Sequence, residues 1–555
     1  MTTTTLTGNL GNPHSCEWGN MSWGHATSRD SLHWTRMPKQ PALEPDQTYD
    51  CDGVFTGCFI PPPSIKSDQL TVCYSSVCKL PFHWYTLPYQ RDAAGIALAT
   101  STDGGMTWTK SPKNPVLRGA PPGLDVTGFR DPYVAPWPAL DKLRGSADAN
   151  LYALVSGGIR GIGPTTFLYV VRQDNPIDWE YLGPLIALPE RFCPSKTLEA
   201  NFGMNWECTN FMTLGDGSCL RHFLVLGAEG DVERSHVTAI DPPDGAISRT
   251  VRQQLWMCGG LQKTNDRTEM IYKYGGFLDH GSYYAANSFH DPQSGNRVVH
   301  GWIPEEDCTP QFAAEKGWNG SLALPREVFL LTIPNVIKSL KTSLGKLPSI
   351  EAEEHNHGFW VIRTLGIKPL EQLKSLRGHC TSSMESGRIP IPALHYAKSI
   401  VTFSKPSWEL EANIQLGEDC QAFTLDVRDR DSFLTRFRFV FDLEHETMTL
   451  YRQHAGLSGS FNGHPERGHF TLFYTHDPAS GKLVLEPLRL RIFLDADVLE
   501  VFANERFALA TMVYLDQNRR LMDVVPSVIQ AAEASVTAEI RAWEGFESLM
   551  SRVST

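Results

Sequence analysis

The stretch TSRDSLHWTRMPKQPAL (residues 27–43) returns in altered form as TSTDGGMTWTKSPKNPVL (100–117) and VRQDNPIDWEYLGPLIAL (171–188). Each copy carries an Asp, a Trp four or five residues later, and then a Pro-containing step toward an apolar residue. The three acids are Asp30, Asp103 and Asp174, spaced 73 and 71 positions apart. Self-similarity at a fixed period is the mark of a repeat architecture, and it constrains the fold more than any single segment does. Between the markers lie short runs rich in β-branched and aromatic residues, such as NLYALVSG, TFLYVVRQ, RHFLVLGAEG and NRVVHGWI, bounded by Gly, Pro, Asp and Asn. Such runs read as strands. Four of them in about seventy residues make one blade of a β-propeller, and five blades need about 350 residues.

The repeat gives out at that length. LGKLPSIEAEEHNHG (344–358) is followed by IKPLEQLKSLRG (367–378), with Leu370, Leu373 and Leu376 on one face, which predicts a short amphipathic helix. Beyond it, FLTRFRFVFDLEHETMTLYR (433–452) alternates Phe437, Phe439 and Phe441 with Arg438, Val440 and Asp442, and LRLRIFLDADVLEVFANERFALATMVY (488–514) continues the pattern. One apolar and one mixed face suit a sheet of a β-sandwich. The chain is therefore expected to be all-β. A five-bladed β-propeller over 1–360 is expected, followed by a linker with a short helix over 361–379 and a β-sandwich over 380–555. Core packing accounts for the apolar stripes themselves.

Composition narrows the function. The formal charge of -12, from 62 acidic and 50 basic residues, disfavours nucleic acid as a partner. REVFLLTIPNVIKSL is interrupted by Pro334 and falls short of the roughly 20 residues that a membrane span needs. The twelve Cys form no CxxC pair and match neither a disulfide framework nor a zinc signature. His14, Cys16 and His25 fit no familiar ligand spacing and read as pocket lining, so they are not expected to hold a metal.

Chemistry has to come from polar residues that the strands bring to a common centre. In TGFRDPYVAPWP, Arg130 and Asp131 precede Pro132; a buried pair of this kind keeps a carboxylate ionised. In NFGMNWECTNFM, Glu207 lies between Trp206 and Cys208, where burial would raise its proton affinity and suit it to donate a proton. Taken singly, each is equally a structural ion pair or a buried acid.

Taken together, NPHSCEWGNMSWGHATSRDSLHW, GVFTG, STDGGMTW, GFRDP, WEC, DHGSYYAANSF, GWNGSLALPREVFL and RIFLDADVLEVFAN resemble glycoside hydrolase family 32 along nearly the whole chain. The family comprises invertases, inulinases, levanases and fructosyltransferases built as a five-bladed propeller and a β-sandwich. The resemblance implies a retaining β-fructofuranosidase acting on sucrose or fructans, in which a carboxylate attacks the anomeric carbon while an acid protonates the leaving oxygen. Carried over by motif, Glu207 matches the acid/base and Asp131 the transition-state stabiliser, with Arg130 orienting nearby groups. Trp18, Phe55 and Thr56 match sugar-contacting positions, and Trp302 is a further candidate. Thr56-Gly57-Cys58 departs from the commoner Ser-Gly-Ser, and Thr209 replaces the usual Pro after WEC.

One piece is not found. In the family a Trp-Met/Ile-Asn-Asp-Pro segment, whose Asp is the nucleophile, precedes the stretch around Asn12 and Pro13, and no such segment stands before Gly11. The nucleophile is thus expected to be absent from the chain as written, along with the innermost strand of the first blade; Asp50 and Asp52 are set aside as substitutes. The expectation is a family enzyme impaired as written, whether by a shortened N-terminus or by loss of catalysis. The alternative is a catalytically silent propeller that binds fructosides. Met1 introduces no signal peptide, which reads as cytoplasmic as written and as secreted if a leader precedes it; the sequons at Asn20 and Asn319 are compatible with secretion. Oligomeric state is not legible.

Overall fold

The computed structural model describes residues 4–15, 18–37, 41–62, 68–81, 89–146, 149–195, 200–230, 252–264, 267–356, 358–452, 461–477, 481–515, 521–531, 535–546 and 550–551, with 4–11, 356 and 550–551 described by their backbone. Among these residues seven sheets form, five in the first part of the chain and two of six strands each beyond it. The chain is all-β, a propeller followed by a sandwich.

The second, third and fourth sheets are four-stranded antiparallel meanders laid down in chain order. Their first strands, Gly53–Phe59, Val126–Pro136 and Asn205–Gly215, pack side by side, and Tyr284–His290 of the fifth sheet follows them round. The ring closes where Leu32 of the first sheet packs with Val298 of the fifth and Leu373 of the connecting segment. Because each inner sheet is covered on both faces, its middle strands lose the polar alternation of a half-exposed sheet. Leu151–Ile159 is buried throughout, whereas the outermost strand, Asn175–Pro184, is mostly half-exposed.

The Asp-Trp repeat marks the outer hairpin of each unit. Asp30 accepts the backbone N–H groups of Leu32 and His33, and Asp103 accepts that of Thr107, so a carboxylate closes the turn. In the second and third sheets this turn follows the third strand, but in the first it follows Ser22–Ser28, the second. Ahead of it Thr4–Gly11 forms a strand paired with Ser22–Ser28, although the sequence reading placed no strand there. Threonine's branched side chain favours extended backbone, which the search for an aromatic run overlooked. Met550–Ser551 completes the first sheet in parallel with Trp34–Arg36.

The junction between the two parts differs from the expected linker over 361–379. Phe359–Pro369 is a full strand of the fifth sheet, paired with Arg326–Ser339, and the helix is a 3-10 segment confined to Glu371–His379. Pro369 ends the strand's ladder, and only Leu370 and Leu373 of the predicted stripe are buried. The fifth sheet also recruits Phe473–His476 and Leu483–Leu485 from the sandwich sequence. In the sandwich, Phe437, Phe439 and Phe441 face inward against Leu490, Ile492 and Leu494 of the opposing sheet, as the alternation predicts.

Candidate active site

The four axial strands share one irregularity. Their pairing with the next strand slips between Val54 and Gly57, Arg130 and Tyr133, Glu207 and Asn210, and Tyr284 and Asn287. A bulge of this kind re-aims side chains, and its backbone is unusual: Asp131, Cys208 and Ala285 adopt φ of 61°, 49° and 53°. The motifs FTG, RDP, WEC and YAA therefore occupy equivalent bulges, which is why residues far apart in sequence meet at one end of the axis.

Arg130 is the centre of the cluster and is 2% exposed. Its Nη2 donates to Glu207 Oε1 at 2.7 Å and to Glu229 Oε1 at 2.6 Å, and its Nε lies 3.9 Å from Asp131 Oδ2. Asp131 is fixed by backbone: its N–H donates to Ser75 Oγ (2.7 Å), Ser75 donates on to the Thr56 carbonyl (3.1 Å), and Asp131 Oδ2 accepts the Cys208 N–H (3.1 Å). Glu207 Oε2 accepts the Tyr284 hydroxyl at 2.6 Å. Trp206, fully buried with its Nε1 on the Phe202 carbonyl, anchors the strand beneath Glu207. Two glycines make the space. A Cβ at Gly128 would stand 2.7 Å from both Arg130 Nη1 and Asn205 Oδ1, and one at Gly227 would stand 2.6 Å from the Tyr284 hydroxyl.

Three acids thus share one guanidinium. Burial pushes Asp131 up to about 6, Arg130 working against the shift and the Glu207 charge adding to it. Burial and the Glu207 charge push Glu229 up to about 7. Glu207 itself corrects the sequence reading. Burial alone would raise it, but Arg130, the Tyr284 hydroxyl and Arg252 together hold it below the ordinary carboxylate value, at about 2. The acid picked out as a proton donor is the member of the cluster whose charged form Arg130 favours most, even though Glu229 shares that guanidinium.

The other expected residues fall into place around this centre. Thr56 lies against Cys208, and buried Phe55 meets Trp18 edge-on at 5.5 Å, leaving Trp18 44% exposed at the rim. Trp302 joins through Arg252, whose guanidinium lies 4.6 Å from the Tyr284 ring centre and 5.6 Å from that of Trp302 while pairing with Glu306. Asp50 and Asp52 are spoken for: Asp50 accepts from Tyr74 and Lys110, and Asp52 from the Leu80 N–H. Asp30 is engaged in its own turn with His33 and Ser28. His25 is buried with Nδ1 at 2.9 Å from the Gly105 carbonyl, and Cys16 lies outside the described residues. Among the described residues no three His, Cys, Asp or Glu are grouped to hold a metal ion.

Sequence reasoning missed Glu229, Tyr284, Asn205 and Arg252. Glu229 had a signal, an acid closing the otherwise apolar run FLVLGAE; Arg252 had none. A cleft of about 1030 Å³ between the fifth sheet and the sandwich is lined by residues such as Asn335, Lys368 and Glu505 and includes none of the cluster.

The family model of the glycosyl hydrolases family 32 N-terminal domain matches residues 10–341, and that of the family's C-terminal domain matches 372–544. The chain belongs to glycosyl hydrolases family 32. The acid beta-fructofuranosidase of Solanum lycopersicum is 30% identical over 370 residues, 64% of this chain and 49% of that protein. The sucrose:sucrose 1-fructosyltransferase of Festuca arundinacea is 28% identical over 437 residues, 74% of this chain and 53% of that protein. The chain spans about half the length of these plant relatives. Among solved family 32 structures, the Aspergillus kawachii beta-fructofuranosidase complexed with glycerol superposes with a TM-score of 0.82 at 23% identity, over 99% of this chain and 93% of that one. Fructan 1-exohydrolase IIa from Cichorium intybus gives 0.68 at 17% identity, over 99% and 94%. At such identities the likeness is one of fold.

Proposed function

We propose that this chain is built for β-fructosides, sucrose or short fructans, and carries the acid/base and transition-state-stabilising carboxyls of a retaining glycosidase, with hydrolysis as the main outcome and fructosyl transfer as the variation; no described carboxylate is assigned the nucleophile's part, so its turnover is expected to be impaired. The observation that carries the reading is the convergence of Asp131 and Glu207 on Arg130 in a family 32 chain. Glu207 serves as the acid/base at the glycosidic oxygen. Asp131, held by Ser75 and the Cys208 N–H, takes the fructosyl hydroxyls, and Arg130 keeps the two carboxyls in register. Hydroxyls donating to Asp131 favour its charged form, and that charge in turn favours a proton on neighbouring Glu207. Trp18 and Phe55 give the ring an apolar wall, and Trp302 with Arg252 extends the site toward the leaving group.

A second reading, fructoside binding without turnover, has one observation behind it. The described acid of the first sheet's turn, Asp30, is occupied away from the cluster, so the assembled carboxylates come from the third and fourth sheets. One experiment separates the two. The chain is incubated with sucrose, 1-kestose and inulin, and released fructose is measured beside calorimetric binding. Turnover that disappears in Glu207→Gln supports the enzyme. Binding with no turnover supports the silent propeller, and neither binding nor turnover sinks both.

A further inference from the structure

We infer that Cys58 and Cys73 are a redox modification site: a hydroperoxide closes them into a disulfide, and the bond shifts the strand that carries Asp131. The effect on fructosides rests on the role proposed for Asp131, whereas the bond itself does not. Cys58 on Gly53–Phe59 and Cys73 on Leu70–Val77 are register partners, and their sulfurs stand 3.6 Å apart. Directly opposed residues of antiparallel strands have Cα atoms about 4.5–5.5 Å apart, within the span that a disulfide bridges. The two backbones also come close beside the pair. A Cβ at Gly57 would stand 1.9 Å from the Cys73 carbonyl oxygen, so glycine is what lets the strands approach this far. The bulge between Val54 and Gly57 leaves the first strand free to adjust. Cys58 is also the position at which this chain departs from the commoner Ser-Gly-Ser, and that departure supplies the second thiol.

The two thiols differ in access. Cys58 is half-exposed and Cys73 fully buried, so Cys58 is the one that an oxidant meets. With hydrogen peroxide, the Cys58 sulfur takes one oxygen as the O–O bond breaks, and the thiol proton leaves with the other oxygen as water. The Cys73 sulfur then attacks the Cys58 sulfenic acid, the S–O bond breaks, and the Cys73 proton leaves with that hydroxyl as a second water. Two thiols are oxidised and one peroxide is reduced. A covalent bond holds the sulfurs closer than the present contact, so forming it draws Cys58 Sγ toward Cys73. That sulfur is already in use, accepting the N–H of buried Val134 at 3.0 Å, three residues beyond Asp131 on the same strand. Cys73 is linked to Asp131 as well, through Ser75 two residues on, whose hydroxyl accepts the Asp131 N–H at 2.7 Å and donates to the Thr56 carbonyl. Closing the bond therefore strips a buried N–H of its acceptor and moves the strands that fix Asp131, and reduction restores both.

The test treats the full chain with hydrogen peroxide, wild type beside Cys73→Ser and beside Cys58→Ser, which puts the family's commoner residue at that position. Remaining thiols are alkylated and the chain is digested. Wild type should yield peptides joined at Cys58 and Cys73, released by dithiothreitol and missing from both variants. Hydrogen exchange over residues 126–136 should run about tenfold faster in oxidised than in reduced wild type, and peroxide should leave it unchanged in Cys58→Ser. Sucrose binding, read by calorimetry, should weaken several-fold on oxidation and recover on reduction. If peroxide leaves both thiols open to alkylation, or joins either to a different cysteine, the inference is overturned. It is equally overturned by a closed bond that leaves exchange over 126–136 unchanged, or that leaves sucrose binding unchanged in a chain that binds it. A closed bond with faster exchange, in a chain that neither binds nor turns over fructosides even when reduced, refutes the proposed function and leaves the redox pair standing.

Discussion

Arg130 and Arg326 are both buried in this chain, each between carboxylates, yet their surroundings differ in one respect that separates chemistry from architecture. Arg326 pairs with Asp279 at 2.8 Å and Glu500 at 2.9 Å and stacks 3.9 Å over the Tyr283 ring, where the propeller meets the sandwich. Those acids are also held by backbone: Asp279 Oδ1 accepts the Gly281 and Ala510 N–H groups, and Glu500 accepts that of Leu324. Backbone donors cannot turn away, so the acids are held in place. Around Arg130 there are three acids, and Glu207 and Glu229 are met by the side chains of Tyr284 and Asn205. Excess carboxylate with adjustable donors is a device for moving a proton. A pair of acids on fixed backbone donors is a joint.

The largest expected effects follow from that contrast and would break it if reversed. Arg326→Met leaves two buried acids without their cation and should cost about 3–5 kcal/mol, read as a lowered Tm, with activity lost only as the fold is lost. Glu207→Gln should leave the melting temperature within a few degrees of wild type while reducing sucrose turnover by about 10²–10⁴-fold. If Glu207→Gln unfolds the chain as Arg326→Met does, the cluster around Arg130 is a joint as well, and the distinction fails.

A matched pair of glycine substitutions sharpens the same comparison at smaller amplitude. At Gly281 a Cβ would meet the Ala510 carbonyl oxygen at 2.1 Å, and backbone on both sides leaves nothing to yield. At Gly128 it would meet the end of the Arg130 side chain and the Asn205 amide, which can swing aside. Gly281→Ala should therefore destabilise by about 1–3 kcal/mol or more, measured by calorimetry, with kcat preserved in the folded fraction. Gly128→Ala should melt nearly as wild type yet lose kcat, because Arg130 no longer bridges Glu207 and Glu229.

How much of this could be read in the sequence depends on the range of the interaction. The Asp-Trp turns are local, since Asp30 and Asp103 bond residues two to four positions on, and they revealed the blade period. Alternation in 433–452 likewise exposed a sandwich strand. Arg130 and Asp131 stand adjacent in one motif, and Glu207 was visible because two apolar neighbours frame it. The resemblance to family 32, more than any single motif, assigned their roles. What stayed hidden is non-local. Glu229 reaches Arg130 across 99 positions, and Arg252 owes its place to rings at Tyr284 and Trp302. The direction of the Glu207 shift was misread for the same reason: apolar neighbours in sequence announce burial, but the cation that outweighs burial comes from another sheet. The strand at Thr4–Gly11 and the extension of the fifth sheet to Pro369 were missed because pairing partners, rather than local composition, decide them.

The smallest effect tests the raised acids through stability. Asp131 and Glu229 have folded-state values of about 6 and about 7, above their ordinary 3.8 and 4.5. Between those limits the folded chain binds protons that the unfolded chain has released, so stability falls as pH rises from about 4 to about 7. Glu207, held at about 2, acts in the opposite sense and withdraws stability only as pH drops below about 4. Melting temperatures taken across this range should decline toward neutrality in wild type. Glu229→Gln removes one of the raised acids, so its curve should be shallower between about pH 5 and pH 7, by an amount of order 1 kcal/mol. The locked joint gives the control. Replacing Glu500 with Gln should shift the curve downward, since the Leu324 N–H and Arg326 lose their partner, and should remove Glu500's own share of the slope, because burial raises that acid too, while leaving the share contributed by Glu229 intact. Parallel curves for wild type and Glu229→Gln would mean that Glu229 carries the same charge folded and unfolded, and the proton would then have to reside elsewhere in the cluster.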